Sequence, residues 1–311
     1  MRVAFAKTAY LLLIILTVIS SSAFAWTKPR RLTNYLGAME PRAVANGRNI
    51  YLVNFGTGGY DFNFLSSWNN GYSWTTPVQP ADTFPRGSEM TDIIYTPNGL
   101  IHVVWVGYYD GNSHPQIFHQ SSSDGGRSWS IRNSAFYYNG SQLRYPRLAA
   151  NGDTLFLVYV DVYHIRFYRS FDDGLSWQNW TTIDTAAGVI SCPTLLLSQS
   201  RLHLIYELTP NDNANSIDVY YSKSDDGGLS WSRRTPLSTA ELHPPYYYGL
   251  APSARVDDNG DILTAWYDYK YGTQCDGVMG EILTRASTDN GNSWLPEGRV
   301  THTRQVYYLR A

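Results

Sequence analysis

The sequence is poor in charge. Only 16% of its 311 residues are Asp, Glu, Lys or Arg, and the formal net charge is −2. A chain so balanced carries no basic stripe for nucleic acid and no acidic tail for a polycation. Cysteine is scarcer still, with Cys192 and Cys275 alone. Two thiols do not make a disulfide scaffold, so an apolar core must supply the stability. No second long apolar run follows the N-terminal one, which leaves no candidate membrane span in the rest of the chain. No segment of helix length repeats its apolar residues at helical spacing. Aromatics, by contrast, reach 15%, led by 25 Tyr. Few charges and many β-formers predict an all-β protein.

The first residues read "MRVAFAKTAYLLLIILTVISSSAFAW". Arg2 and Lys7 precede an apolar run from about Ala9 to Ile19, and Ala23 and Ala25 form an A-x-A site. This is the layout of a secretory signal. Residues 1–25 are expected to be removed, leaving 26–311 as one exported domain, secreted or periplasmic, with no membrane part after cleavage.

One octet recurs. "SWNNGYSW", "SSDGGRSW", "SFDDGLSW", "SDDGGLSW" and "STDNGNSW" fit S-x-[DN]-x-G-x-S-W and end at Trp74, Trp129, Trp177, Trp231 and Trp294. Their acidic or amide position is Asn69, Asp124, Asp172, Asp226 and Asp289. Two β-type runs precede each octet, an earlier run often starts at Pro, and a short run follows the Trp. Four strands at a period of about 50 residues describe a propeller blade. The octet then reads as the hairpin between third and fourth strands. Its carboxylate accepts turn N–H bonds, its Gly allows positive φ, and its Trp re-enters the layer between blades. The D-x-[DN]-x-[DN]-G start of a calcium loop is a competing reading, but no flanking helices and no Glu at the twelfth position accompany it. Neither a metal nor a cofactor is expected.

These octets resemble the Asp-box, or bacterial neuraminidase repeat, of the sialidase superfamily, over essentially the whole mature chain. The resemblance implies a sialidase-type β-propeller with the boxes on the face opposite the ligand site. Five four-stranded blades are recognisable. "WTKPRRLT" (26–33) reads as an outermost strand without a blade, and "HTRQVYYLRA" (302–311) supplies one more strand. Together they suggest a partial sixth blade.

A glycan or polysaccharide is the partner expected at the opposite mouth, with a protein partner as an alternative. The Tyr-rich, mixed-charge loops suit sugars, because aromatic faces stack on pyranose C–H groups while Arg and carboxylates bind hydroxyls. Candidate ligand contacts are Arg42, Tyr109, Arg147, His243, Tyr246, Tyr247 and Tyr248; candidate catalytic carboxylates are Asp61, Asp110, Asp268 and Glu281. The resemblance implies a catalytic set of three Arg, a Tyr nucleophile assisted by Glu, and an Asp acid/base. The chain departs from it. Met39 stands at the first Arg position, and Arg42, three residues on, is placed on the opposite side by strand alternation. Cys192 stands at the Glu position, and Tyr307 and Tyr308 are poor substitutes for the nucleophile. Asp61 alone falls near its expected place. Binding or scaffolding is therefore favoured over catalysis, with a glycoside hydrolase as the alternative. Cys192 and Cys275 fall on one face in neighbouring blades, where a bridge is open to them.

Overall fold

The computed structural model describes residues 31–33, 39–55, 62–79, 89–108, 115–136, 143–161, 163–186, 188–210, 217–238, 250–268, 270 and 280–302. Residues 1–34 form a unit of their own, and the description that follows concerns Tyr35–Ala311.

All the described regular structure is β. Five antiparallel sheets follow one another along the chain. The first holds β1 (Met39–Asn46), β2 (Asn49–Phe55) and β3 (Phe62–Ser67). The second holds β4 (Glu89–Tyr95), β5 (Ile101–Tyr108), β6 (Pro115–Ser122) and β7 (Asn133–Phe136). The third runs through β8 (Leu143–Asn151), β9 (Thr154–Asp161), β10 (His164–Ser170) and β11 (Gln178–Thr185). The fourth is β12 (Gly188–Ser198), β13 (Arg201–Pro210), β14 (Asp218–Ser224) and β15 (Thr235–Pro236). The last is β16 (Ser253–Val256), β17 (Ile262–Asp268), β18 (Glu281–Ser287) and β19 (Gly298–Arg299). Each sheet is a simple meander, and the first strands touch in chain order: β1 on β4, β4 on β8, β8 on β12, β12 on β16. The result is a five-bladed β-propeller whose innermost strands surround an axis.

Blade one corrects the expectation of four strands throughout. Among the described residues its outer strand is a single bridge, in which Phe64 and Val78 exchange both backbone hydrogen bonds at 2.8 and 2.9 Å.

Four apolar layers lie between the five sheets. In β5, Val103 and Trp105 join the layer toward blade one, while Val104 and Val106 join the layer toward blade three. Both faces are covered, so the strand is a continuous apolar run rather than an alternating one. β17 behaves differently. Ile262, Thr264 and Trp266 are buried, but Leu263 is 56% exposed, so one face of blade five is open. Among the described residues β16 makes no contact with β1 comparable to those between the other neighbours.

The octets occupy the blade ends beside the β1–β2 type of turn, as register requires: Asn46 pairs with Asn49 and Ile50 with Ser67. Their hydrogen bonds repeat. Asp226 Oδ1 accepts from the Ser224 hydroxyl (2.8 Å) and the Ser230 N–H (2.9 Å), and Oδ2 accepts from the Ser230 hydroxyl (2.6 Å). Gly228 N–H donates to Ser224 Oγ at 2.8 Å. Asn69 replaces the carboxylate in the first octet and donates from Nδ2 to Ser73 Oγ (2.8 Å). Hydroxyl and amide donors from Ser128 and Ser293 lower Asp124 and Asp289 to about 2.

The octet glycine has a second task. At Gly228 (φ +90°) a Cβ would come within 2.1 Å of Phe167 from the preceding blade. Gly126 receives Phe64, Gly174 receives His119 and Gly291 receives Tyr221 in the same way. The octet Trp then meets that same ring edge-on: Trp129 on Phe64 (5.0 Å), Trp177 on His119 (5.7 Å), Trp231 on Phe167 (5.6 Å) and Trp294 on Tyr221 (5.0 Å). Trp74 instead donates from Nε1 to its own Gly71 carbonyl (3.0 Å). Blade five carries Thr284 where the other blades place this ring, three residues before the octet-leading or octet-anchoring Ser.

Candidate functional site at the propeller axis

Each inner strand is bent at the same place. Glu40, Met90, Tyr145, Cys192 and Ala251 adopt left-handed φ values of 49°, 51°, 54°, 48° and 46°. Four of them precede Pro41, Pro146, Pro193 and Pro252, and Thr91 follows the fifth. In β1, β4, β8 and β12 the pairing register slips at this point. A left-handed non-glycine residue costs about 1–3 kcal/mol, so five at equivalent positions are held by their surroundings. The bulge inserts a residue, breaks the two-residue alternation and re-aims the side chains after it.

That geometry places Arg42, named above as a candidate ligand contact, at the axis despite the alternation that counts against it. Regular alternation sends it to the face opposite position 39, but the slip between Met39 and Arg42 turns it to the axis, where it lines a cavity of about 610 Å³. All five inner strands contribute to this cavity. Arg147, also expected at the mouth, lines it too, as do Glu40, Asp92, Tyr145, Cys192 and Arg255.

Arg147 is 7% exposed. Its Nε donates to Pro193 O at 3.0 Å and its Nη1 to Pro146 O at 2.8 Å. Among the described residues no carboxylate forms an ion pair with it. Burial lowers its pKa, with the Asp92 charge acting against that fall. Asp92 itself accepts the Leu148 N–H at 2.9 Å, which joins blades two and three beside the cavity.

A carboxylate not singled out in the sequence stands behind the wall. Glu207, 1% exposed, accepts from the Ser191 hydroxyl at 2.7 Å and from the Ala251 N–H. Burial raises its pKa, against those two bonds. Burial, reinforced by the Glu207 charge, lifts the Cys192 thiol to about 11, and burial likewise raises Tyr145. Among the described residues Cys192 has no disulfide partner. Cys275, the partner expected for it, lies outside the described residues.

Asp268 and Glu281 face each other across β17 and β18 but do not line the axial cavity. Asp268 accepts from Trp266 Nε1 (3.1 Å) and the Lys270 N–H (2.9 Å). Glu281 accepts from Arg299 Nη2 (2.8 Å) and the Thr301 hydroxyl. Both are held by donors of their own blade. Asp61, Tyr109, Asp110, His243 and Tyr246 to Tyr248 lie outside the described residues, as do Tyr307 and Tyr308. Among the described residues no three His, Cys, Asp or Glu side chains converge as a metal site would require.

Five blades and an axial cavity lined by both charged and apolar side chains define a β-propeller with a small-molecule-sized site where such folds place their ligands. No family model matches the chain, and no curated protein matches it. Solved structures do. An α-L-arabinanase of Penicillium chrysogenum, complexed with arabinobiose, superposes with a TM-score of 0.53 at 23% identity over 68% of this chain and 66% of its own. A family PL25 polysaccharide lyase, an ulvan lyase bound to a GlcA–Rha3S saccharide, gives 0.55 at 14% identity over 81% and 69%. The sialidase NanB gives 0.57 at 10% identity over 84% of this chain and 60% of its own. Likeness at these identities establishes the fold and nothing finer.

Proposed function

We propose that the chain binds a carbohydrate in the axial cavity, and that the bound unit is acidic. Arg147 carries the reading: a guanidinium almost wholly buried at the cavity wall, bonded to two backbone carbonyls and, among the described residues, to no carboxylate. A buried cation with no directly bonded counter-ion is costly, and a sugar carboxylate or sulfate would supply one through charge-assisted bonds, adding to the longer-range pull of Asp92 and Glu40. Arg42 and Arg255 add positive charge to the same wall, and Tyr145 adds a ring. The sugar-bound lyase and arabinanase of like fold support a saccharide. Calorimetric titration with oligoglucuronides and with neutral oligosaccharides of equal length tests it. Acidic chains should bind more tightly, and Arg147→Gln should weaken them by about 30-fold or more. Equal affinity for both sets would overturn the acidic assignment; no binding by either would overturn the carbohydrate reading.

A second reading, hydrolysis, has one observation in its favour. Glu207, bonded to Ser191 and to Ala251 behind the cavity wall, has the raised pKa that a general acid needs, and Glu40 and Asp92 line the cavity itself. Turnover of aryl glycosides that disappears in Glu207→Gln would establish it, and no turnover across the panel would leave binding as the function.

The proposal also takes the chain to be exported, of sialidase type, with its ends contributing to a partial sixth blade. The leader-like N-terminus, the octets and the open face of blade five support these points. A mature mass starting at Trp26 tests the first.

A further inference from the structure

A second cavity, of about 300 Å³, lies away from the axis, where the outer side of blade one meets the octet of blade two. Two local features create it. Among the described residues the outer strand of blade one is a single bridge at Val78, and no full strand covers the flank of β3 beyond it. The first octet also carries Trp68 in its second position, where the others carry Ser123, Phe171, Asp225 and Thr288.

The indole of Trp68 is fixed in place. Tyr51 meets it edge-on at 5.8 Å, and the Arg127 guanidinium lies 4.9 Å from the ring centre. Its six-membered end presses on Gly125 so closely that a Cβ there would come 2.0 Å from Cη2. Even so, Trp68 is 39% exposed. Phe64 and Trp129 continue the aromatic lining, while Thr76, Gln79 and Arg127 supply hydroxyl, amide and guanidinium groups.

We propose that this rim cleft binds one neutral hexopyranose unit of a glycan, at a site separate from the axial cavity. A pyranose presents a C–H face and a rim of hydroxyls. The closely packed, part-exposed indole suits the face, and Thr76 and Arg127 suit the rim. A purely aliphatic occupant would desolvate those polar groups without replacing their hydrogen bonds. The site needs no acidic sugar and does not depend on Arg147.

Titration with methyl glycosides of D-glucose, D-galactose and D-mannose tests this, read by calorimetry. At least one should bind the wild-type chain and Arg147→Gln with equal affinity. Trp68→Ala should weaken it about tenfold and Trp68→Phe less, the loss expected when an aromatic stacking contact is removed. Thr76→Arg, which fills the cleft from an exposed position and leaves Trp68 itself unchanged, should abolish it; urea midpoints equal to wild type establish that both variants fold. The proposal is overturned if Trp68→Ala and Thr76→Arg leave the affinity unchanged, if Arg147→Gln alone removes it, if no glycoside binds, or if an apolar peptide occupies the cleft in place of every sugar.

Discussion

Two buried histidines make acid stability a quantitative test of the blade interfaces. His102 and His119 stack at 5.3 Å with Nδ1 of one 3.0 Å from Nε2 of the other, and both are essentially buried. Burial lowers His102 to about 4, with the charge of Asp173 acting in the opposite sense. Burial and then the neighbouring His102 lower His119 to about 3, against a hydrogen bond with the Gly174 backbone. The unfolded chain, with histidines near 6.5, therefore takes up these protons first as pH falls. Stability is full above pH 6.5, declines below it, and stops declining only below the folded values. At about 1.4 kcal/mol per pH unit and per group, the pair forfeits about 4 kcal/mol by pH 5. Blade three provides the control, because Phe156 and Phe167 occupy the equivalent places, stacked at 6.1 Å. Phe167 lies against Gly228 as closely as His119 lies against Gly174, at 2.1 and 2.2 Å from a Cβ built there, so the double variant His102→Phe, His119→Phe should be accommodated. Urea unfolding followed by Trp fluorescence at pH 7.5 and 5.0 would measure both proteins. Any packing cost is common to the two pH values, and His203, also lowered to about 4 mainly by burial, is common to the two proteins. The double variant should lose less stability on acidification, by about 4 kcal/mol. An equal loss in both proteins would refute the argument that this pair is buried neutral.

Other outcomes follow from the same packing. Gly228→Ala should destabilise by about 2–4 kcal/mol, since its Cβ meets Phe167 on top of the strain of a positive φ, whereas Gly71→Ala, also at positive φ (+82°) but with its nearest atom at 3.6 Å, should cost only about 1 kcal/mol; equal losses in urea unfolding would contradict the interlock. Ser224→Ala removes an acceptor from the Gly228 N–H and a donor to Asp226, and should cost about 1–3 kcal/mol; a midpoint within error of wild type would rule out that role. Lys270 and Glu297 pair at 2.5 Å with side chains 8% and 11% exposed, so Lys270→Met should cost about 3–5 kcal/mol, and the further change Glu297→Met should recover much of it. Failure of that recovery would mean the loss lies in packing rather than in stranded charge.

Much of the fold was legible because each octet carries its own signature: polar residues that cap the turn, a glycine, and a Trp that returns to the core. The prolines marked the starts of inner strands for a similar reason. The bulge before them was not legible. Glu40, Met90, Tyr145, Cys192 and Ala251 share no side-chain chemistry, and none announces a left-handed backbone as glycine does. Without that bulge, alternation counted against Arg42, whose place among the candidate contacts came from the entry loop alone. Asp92 and Arg255 passed unnoticed inside apolar-looking strands, and Glu207 sits in "LHLIYEL", where the surrounding pattern signals only burial. Asp268 and Glu281 were legible as carboxylates, but their bonds to Trp266 and Arg299 depend on register that the sequence does not display.

The ring-under-glycine contact has a direction. Phe64, His119, Phe167 and Tyr221 all reach forward to the next repeat, and none of these rings reaches back. Neighbouring units therefore join like hook and eye, and the two halves of the fastening are nearly interchangeable along the array. Excising the third unit whole would set His119 against Gly228, an imidazole where a benzene ring now lies. The array could thus be shortened by one module while every remaining hook still found an eye.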